Sequence, residues 1–304
     1  MVSWRGMGQT LAIVGVGAIG GAVAADLADL GRHHLTLCTR SAFDRLEVRH
    51  PGGTSTIEQP PVTAPAGIGR PVDWVLLATK AHHSAGARPW LDALCAPGTR
   101  VAVLQNGVDH VDRIAPLVPP ETAIVPVVVQ LPAERDRAGR VVQSRDGLLL
   151  VPDSPDGRAF AALFEGARTA VRATADFRAQ AWWKLLSNAA LGGVAALAIR
   201  DNSVARDPGV RAVIVRLMDE IVAVARAEGV ALPDDAPAKV LDRVLEAAGT
   251  HWSSISADRR AGRPMEWAVR NAVVGRIGRR HGVPTPWNDA ITALLRVADE
   301  GVRG

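Results

Sequence analysis

LAIVGVGAIG, residues 11 to 20, carries an apolar strand into a glycine loop, and the run that follows to about Leu30 is helical in character. The glycines of the G-x-G-x-x-G pattern are Gly15, Gly17 and Gly20, with Val16, Ala18 and Ile19 between them. Placed between a strand and a helix at the start of a βαβ unit, this pattern is a dinucleotide-binding fingerprint. Gly15 permits the tight turn, Gly17 lets backbone amides approach a pyrophosphate, and Gly20 lets the helix pack closely on the strand. The helix N-terminus adds free N–H groups and the positive end of its dipole.

A free ribose 2′-hydroxyl is usually held by Asp or Glu about twenty residues after such a loop. Here the second strand, HLTLCTR, ends at Arg40, and Ser41 follows. A carboxylate would repel a 2′-phosphate, whereas a guanidinium binds one bidentately. Arg40 therefore points to NADP(H) rather than NAD(H).

From Leu11 to about Ala173, β-rich runs (LAIVGVG, HLTLCTR, DWVLLATK, RVAVLQNG, AIVPVVVQ) alternate with turns and helical stretches. That order predicts a mostly parallel sheet covered on both faces. RVVQSRD and GLLLVPD, more closely spaced, read as antiparallel additions at its edge. From about Phe177 onward, five segments show apolar residues at helical period. Gly229 and Gly282 stand just past two of these runs, and Pro286 opens the last. The expected architecture is α/β: a Rossmann-type NADP-binding domain over 1–175, then an all-α substrate and catalytic domain over 176–304. A ligand is expected in the cleft between them.

The composition suits two globular domains: 304 residues, 48% hydrophobic and 22% charged. The net charge is +4 with no block of like charges, so no nucleic-acid partner is expected. A mild positive bias suits an anionic small molecule. No signal peptide and no membrane-length apolar run is seen, so a cytoplasmic protein with no membrane partner is expected. The first nine residues read as a ragged end, with Met7 as an alternative start. Cys38 and Cys95 fit no metal spacing and read as thiols in a reducing compartment, with no metal expected. A homodimer through the helical domain is compatible with the sequence without being specified by it.

Candidate chemistry starts on the helix that opens the second half. Lys184 and Asn188 are four residues apart and project from one face of an otherwise apolar segment. Alone, such a lysine could simply snorkel to solvent. Thr79-Lys80 and Gln105-Asn106-Gly107 close two strands at the ends where open α/β sheets bind ligands. HWSSISADRRAGRPMEW adds Ser253, Ser254, Asp258 and Glu266, each of which taken singly could be a cap or a solvated charge.

Together these pieces resemble the ketopantoate reductase (2-dehydropantoate 2-reductase) family over nearly the whole chain. The resemblance rests on Gly15 to Gly20, Arg40, Thr79-Lys80, LQNG at 104–107, KLLSN at 184–188, SSISADRRAGRPMEW at 253–267 and GVPTPWN at 282–288. It implies NADPH-dependent reduction of a 2-keto acid, most simply ketopantoate to pantoate as in pantothenate biosynthesis. By motif, Lys184 is the catalytic lysine and Glu266 its carboxylate partner. Asn106, Asn188 and Ser254 match substrate-contacting positions, Lys80 and Asn106 lie by the cofactor, and Asp258 belongs to the same block. A lysine ammonium can stabilise the charge that develops on the carbonyl oxygen and donate the proton; unperturbed it titrates near 10.4 and is charged at neutral pH. The family's helix usually has a second asparagine one turn after the first. Here that position is Gly192, which leaves the identity of the keto acid open. The alternatives are a paralogue with another carbonyl substrate, a β-hydroxyacid dehydrogenase-like enzyme, and a catalytically silent NADP(H) sensor.

Overall fold

The computed structural model describes residues 8–246 and 251–303. Met7 and most of the expected ragged end lie outside the described residues. The described chain forms two compact units. One comprises the residues up to Gln105 together with His110–Phe177; the other comprises Asn106–Asp109 and the residues from Arg178 onward.

Strands of the first unit, in chain order, are β1 (Thr10–Val14), β2 (His34–Cys38), β3 (Leu46–His50), β4 (Gly53–Ile57), β5 (Trp74–Leu77) and β6 (Arg100–Val103). They continue with β7 (Ala123–Pro126), β8 (Val128–Gln130), β9 (Ala133–Arg137), β10 (Arg140–Gln143), β11 (Leu148–Pro152) and β12 (Ala170–Thr174). Its helices are α1 (Ala18–Asp29), α2 (Arg88–Leu94), α3 (His110–Ile114) and α4 (Pro155–Leu163). The main sheet has the order β2-β1-β5-β6-β7, and all its pairings are parallel. Leu11–Val14 and Trp74–Leu77 are buried throughout, as befits central parallel strands covered on both faces. Chain order reverses between β1 and β5. The glycine loop leaves β1 and Thr79-Lys80 follows β5, so both lie at the topological switch point.

Two details differ from the expected alternation. The stretch between β2 and β5 forms the β3–β4 hairpin instead of a crossover helix. The RVVQ and LLLVP strands are not edges of the main sheet. β10 joins β4-β3-β10-β9, parallel to β3 and antiparallel to β9, and β11 joins β12-β11-β8, parallel to β12 and antiparallel to β8. For β10 the reason lies in α1, AIGGAVAADLAD, which is buried from Gly20 to Leu27. A helix with no polar face needs cover on its outer side. β10 supplies it: a Cβ on Gly21 would stand 2.8 Å from Val141 Cγ2.

The second unit is helical: α5 (Phe177–Leu185), α6 (Gly192–Ala198), α7 (Pro208–Ala227), α8 (Ala236–Glu246), α9 (Ser254–Arg260), α10 (Val273–His281) and α11 (Pro286–Arg303). Its core gathers Trp182, Leu185, Leu186, Leu217, Met218, Ile221, Val273 and Ile277. Gly229 and Gly282 adopt φ of 77° and 68°, the left-handed geometry of a helix C-terminus. Two π-helical segments interrupt the regular geometry, Leu186–Leu191 between α5 and α6 and Ala268–Ala272 before α10. Such segments are rare and concentrate at functional sites. Among the described residues, no helix is long and apolar enough to cross a membrane, and no cluster of His, Cys, Asp and Glu could hold a metal.

Candidate active site

The glycine loop is shaped by close backbone approaches. Gly15 has φ +98°, and a Cβ there would lie 2.6 Å from Thr79 N. A Cβ on Gly20 would lie 2.1 Å from Gly15 O. Above Gly17, by contrast, nothing stands within 4 Å of a Cβ position. Gly15 and Gly20 let the loop close on itself, and Gly17 leaves open space beside the helix start. Gly17 is the N-cap of α1, with no capping side chain and no acidic residue in the first turn. Gly21 N makes the first helical bond, to Gly17 O at 2.9 Å. Helix geometry therefore leaves the amides of Ala18, Ile19 and Gly20 without intrahelical partners. Val16 is buried and anchors the loop in the core. The cradle fits a pyrophosphate.

Arg40 follows β2, is exposed, and makes no ion pair or hydrogen bond among the described residues. Its guanidinium is uncommitted to any other described residue. Lys80 is exposed and precedes the turn Ala81–His83. Gln105, at 4% exposure, ties this region together. Its Nε2 donates to Thr79 O at 2.9 Å and Ser84 Oγ at 3.0 Å, and Arg113 Nη2 donates to its Oε1 at 3.1 Å.

Asn106 to Asp109 belong to the second unit, and there Asn106 is the centre of a polar chain. Lys184 Nζ donates to Asn106 Oδ1 at 3.2 Å, Asn188 Nδ2 lies 3.5 Å from the same oxygen, and Asn106 Nδ2 donates to Glu266 Oε2 at 2.9 Å. Chemistry fixes the amide's orientation, since an ammonium only donates and a carboxylate only accepts. Glu266 is buried at 5% exposure. Lys184 and Asn188 thus meet one partner, as their spacing predicts, although a π segment begins between them.

Burial moves the Lys184 ammonium far from its ordinary range. Desolvation, reinforced by the Arg270 cation and opposed by Glu266, pushes its pKa down to about 7. An unperturbed lysine would be fully charged at neutral pH; this one is poised near the midpoint of its titration, where a proton donor is most effective.

Ser254 is exposed on α9 and accepts from Arg270 Nη2 at 2.6 Å. Ser253 caps the same helix, accepting from Ser256 N. Asp258 is buried and accepts from Arg263 Nε at 3.0 Å. Arg270 is the residue sequence reasoning did not single out. It is 2% exposed, and its Nη2 lies 3.9 Å from Glu266 Oε2. The signal in EWAVR is only its spacing, a cation four residues after Glu266. Nor does Gly192 open a void. A Cβ there would meet Ile255 Cγ2 at 3.2 Å, Ser253 Oγ at 3.6 Å and Arg270 Nη1 at 3.8 Å. Trp182 is core packing, and Trp267 donates to Asp299.

Residues 11–156 match the family model "Ketopantoate reductase PanE/ApbA", and residues 176–299 match its C-terminal counterpart. The 2-dehydropantoate 2-reductase of Caulobacter vibrioides is 43% identical over 289 residues, covering 95% of this chain and 99% of the relative. That of Mycobacterium tuberculosis is 40% identical over 296 residues, covering 97% and 99%. A PanE/ApbA family ketopantoate reductase from Ralstonia eutropha superposes with a TM-score of 0.87 at 29% identity, covering 97% of this chain and 100% of that one. Identity at this level, sustained across nearly the full length of both partners, leads to one conclusion: the chain belongs to the ketopantoate reductase family of oxidoreductases.

Proposed function

We propose that this chain reduces 2-dehydropantoate to pantoate with NADPH, and that Lys184 is the general acid. The observation that carries the reading is the chain Lys184–Asn106–Glu266, in which a buried ammonium with pKa about 7 is held by an amide that a carboxylate orients. Bound NADPH would supply hydride to the carbonyl carbon. The uncapped amides of Ala18, Ile19 and Gly20 would hold its pyrophosphate, and Arg40 its 2′-phosphate. Lys80 would add positive charge beside the same switch point. Lys184 would stabilise the developing alkoxide and protonate it. Asn188 and Ser254 would orient the keto acid through an amide and a hydroxyl. Glu266 would hold Asn106, and through it the lysine, in position.

The test is NADPH oxidation by the purified protein with 2-dehydropantoate and a panel of other 2-keto acids. Turnover of 2-dehydropantoate at about 1–1000 s⁻¹ is expected. NADPH binding with no oxidation by any keto acid would overturn the reading. Lys184→Ala should lower kcat by several powers of ten while leaving NADPH affinity unchanged.

A further inference from the structure

We propose that Arg270 is the carboxylate clamp of this enzyme, occupying the place next to position 192 where the family usually carries a second asparagine. The inference rests on the keto-acid reading above and names the group that recognises the acid.

Arg270 is a buried cation whose hydrogen-bonding capacity is largely unspent. Of its guanidinium, Nη2 donates to Ser254 Oγ at 2.6 Å, while Nε and Nη1 have no hydrogen-bond partner among the described residues. Buried polar groups are nearly always satisfied, and an exception calls for a specific explanation. The neighbouring carboxylates balance the charge without taking those donors. Glu266 Oε2 is 3.9 Å away and accepts from Asn106, and Asp258 accepts from Arg263. A charge-assisted pair would be about 2.7–2.9 Å long.

One of the unspent donors, Nη1, lies beside Gly192. Arg270 Nη1 lies 3.8 Å from where a Cβ on Gly192 would sit. Glycine at 192 therefore leaves this edge of the guanidinium uncovered by any side chain from that position, and Arg270 presents a planar donor there. Arg270 also shares Ser254 and Glu266 with the proposed site. A planar guanidinium with free donors matches a carboxylate, and a 2-keto acid carries one beside the reacting carbonyl. Ser254, bonded to the same guanidinium, would fix the clamp's angle.

The experiment compares 2-dehydropantoate with its neutral carboxamide in the wild type, Arg270→Gln and Arg270→Lys. It measures steady-state kinetics at saturating NADPH and equilibrium binding of the acid to NADP-loaded protein. Arg270→Gln should raise KM and Kd for the acid by about tenfold to hundredfold more than for the carboxamide, with NADPH affinity little changed, since any effect through Lys184 falls on both substrates alike. Arg270→Lys should recover part of the loss, because it keeps the charge without the fork. Equal losses for acid and carboxamide, or no loss for either, would overturn the inference and leave Arg270 a structural cation. If Arg270→Gln does not fold, the acid-to-carboxamide ratio of Arg270→Lys decides in the same way. If the wild type binds the acid without turnover and Arg270→Gln weakens that binding, the clamp stands and the proposed reaction falls. If the wild type neither binds nor turns over the acid, both fall.

Discussion

Replacing Lys184 by methionine should abolish reduction and yet stabilise the protein, by an amount that depends on pH. The folded-state pKa of Lys184 is about 7, against 10.5 for an unperturbed lysine. At about 1.4 kcal/mol per unit, the displacement corresponds to a burial penalty on the order of 5 kcal/mol. The part of the lysine that meets solvent reduces this, and a few kcal/mol is the working expectation. Below pH 7 the lysine is charged in both folded and unfolded chains, so the full penalty is present. Between pH 7 and 10.5 the unfolded chain binds more protons than the folded one, and stability therefore rises with pH. The penalty shrinks by about 1.4 kcal/mol per unit over that window and vanishes above it. Lys184→Met, which has no proton to lose, should exceed the wild type by a few kcal/mol at pH 6 and by little at pH 10. The assay is urea unfolding of both proteins at these two pH values. Since both contain every other titratable group, only the change in their difference matters, and packing differences of methionine cancel. A stability difference that is the same at both pH values would refute the reasoning.

Three further outcomes are expected. In steady-state reduction, kcat/KM should fall about tenfold per pH unit above roughly 7, because the acid form of Lys184 is lost there; a profile flat to pH 9 would remove the lysine from the role. Arg40→Ala should raise KM for NADPH about tenfold to hundredfold and leave NADH unaffected, and parallel changes in both would contradict the assignment. Gly20→Ala sets a Cβ 2.1 Å from a backbone oxygen, so the loop must open; NADPH affinity should drop more than about tenfold, with a loss of about 1–3 kcal/mol in stability. Unchanged affinity in titration would show that the loop does not hold the dinucleotide.

The parts of this fold that could be read from sequence are those governed by local period. LAIV, WVLL and VAV are continuous apolar runs, and they are the buried centre of the parallel sheet. Gly229, Gly282 and Pro286 mark helix ends by their own backbone preferences. The β3–β4 hairpin was not legible, because GTSTI is mostly exposed and lacks an apolar face. RVVQ and LLLVP looked like strands but could not announce which sheet they join. For RVVQ that is decided by the need of α1 for cover, a tertiary demand. In the site, Lys184 and Asn188 share a helix face by arithmetic. Arg270 was hidden, because an arginine on a helix is ordinarily a solvated charge, and only the packing shows this one at 2% exposure.

The two π segments bear on how this chain can change over generations. Each holds an extra residue relative to an α-turn, and deleting one from Leu186–Leu191 would rotate everything beyond it by about 100°. The segments are also fastened together: Asn271 Nδ2 donates to Ala189 O at 2.8 Å, and Gly193 leaves room for that amide, since a Cβ there would stand 2.9 Å from it. A length change in either helix would unseat the other. The stretch from Lys184 to Gly192 and the stretch from Glu266 to Asn271 are thus closed to insertion and deletion. Specificity can be altered there by exchanging side chains at fixed length, and the proposed role of Arg270 beside Gly192 requires no more than that.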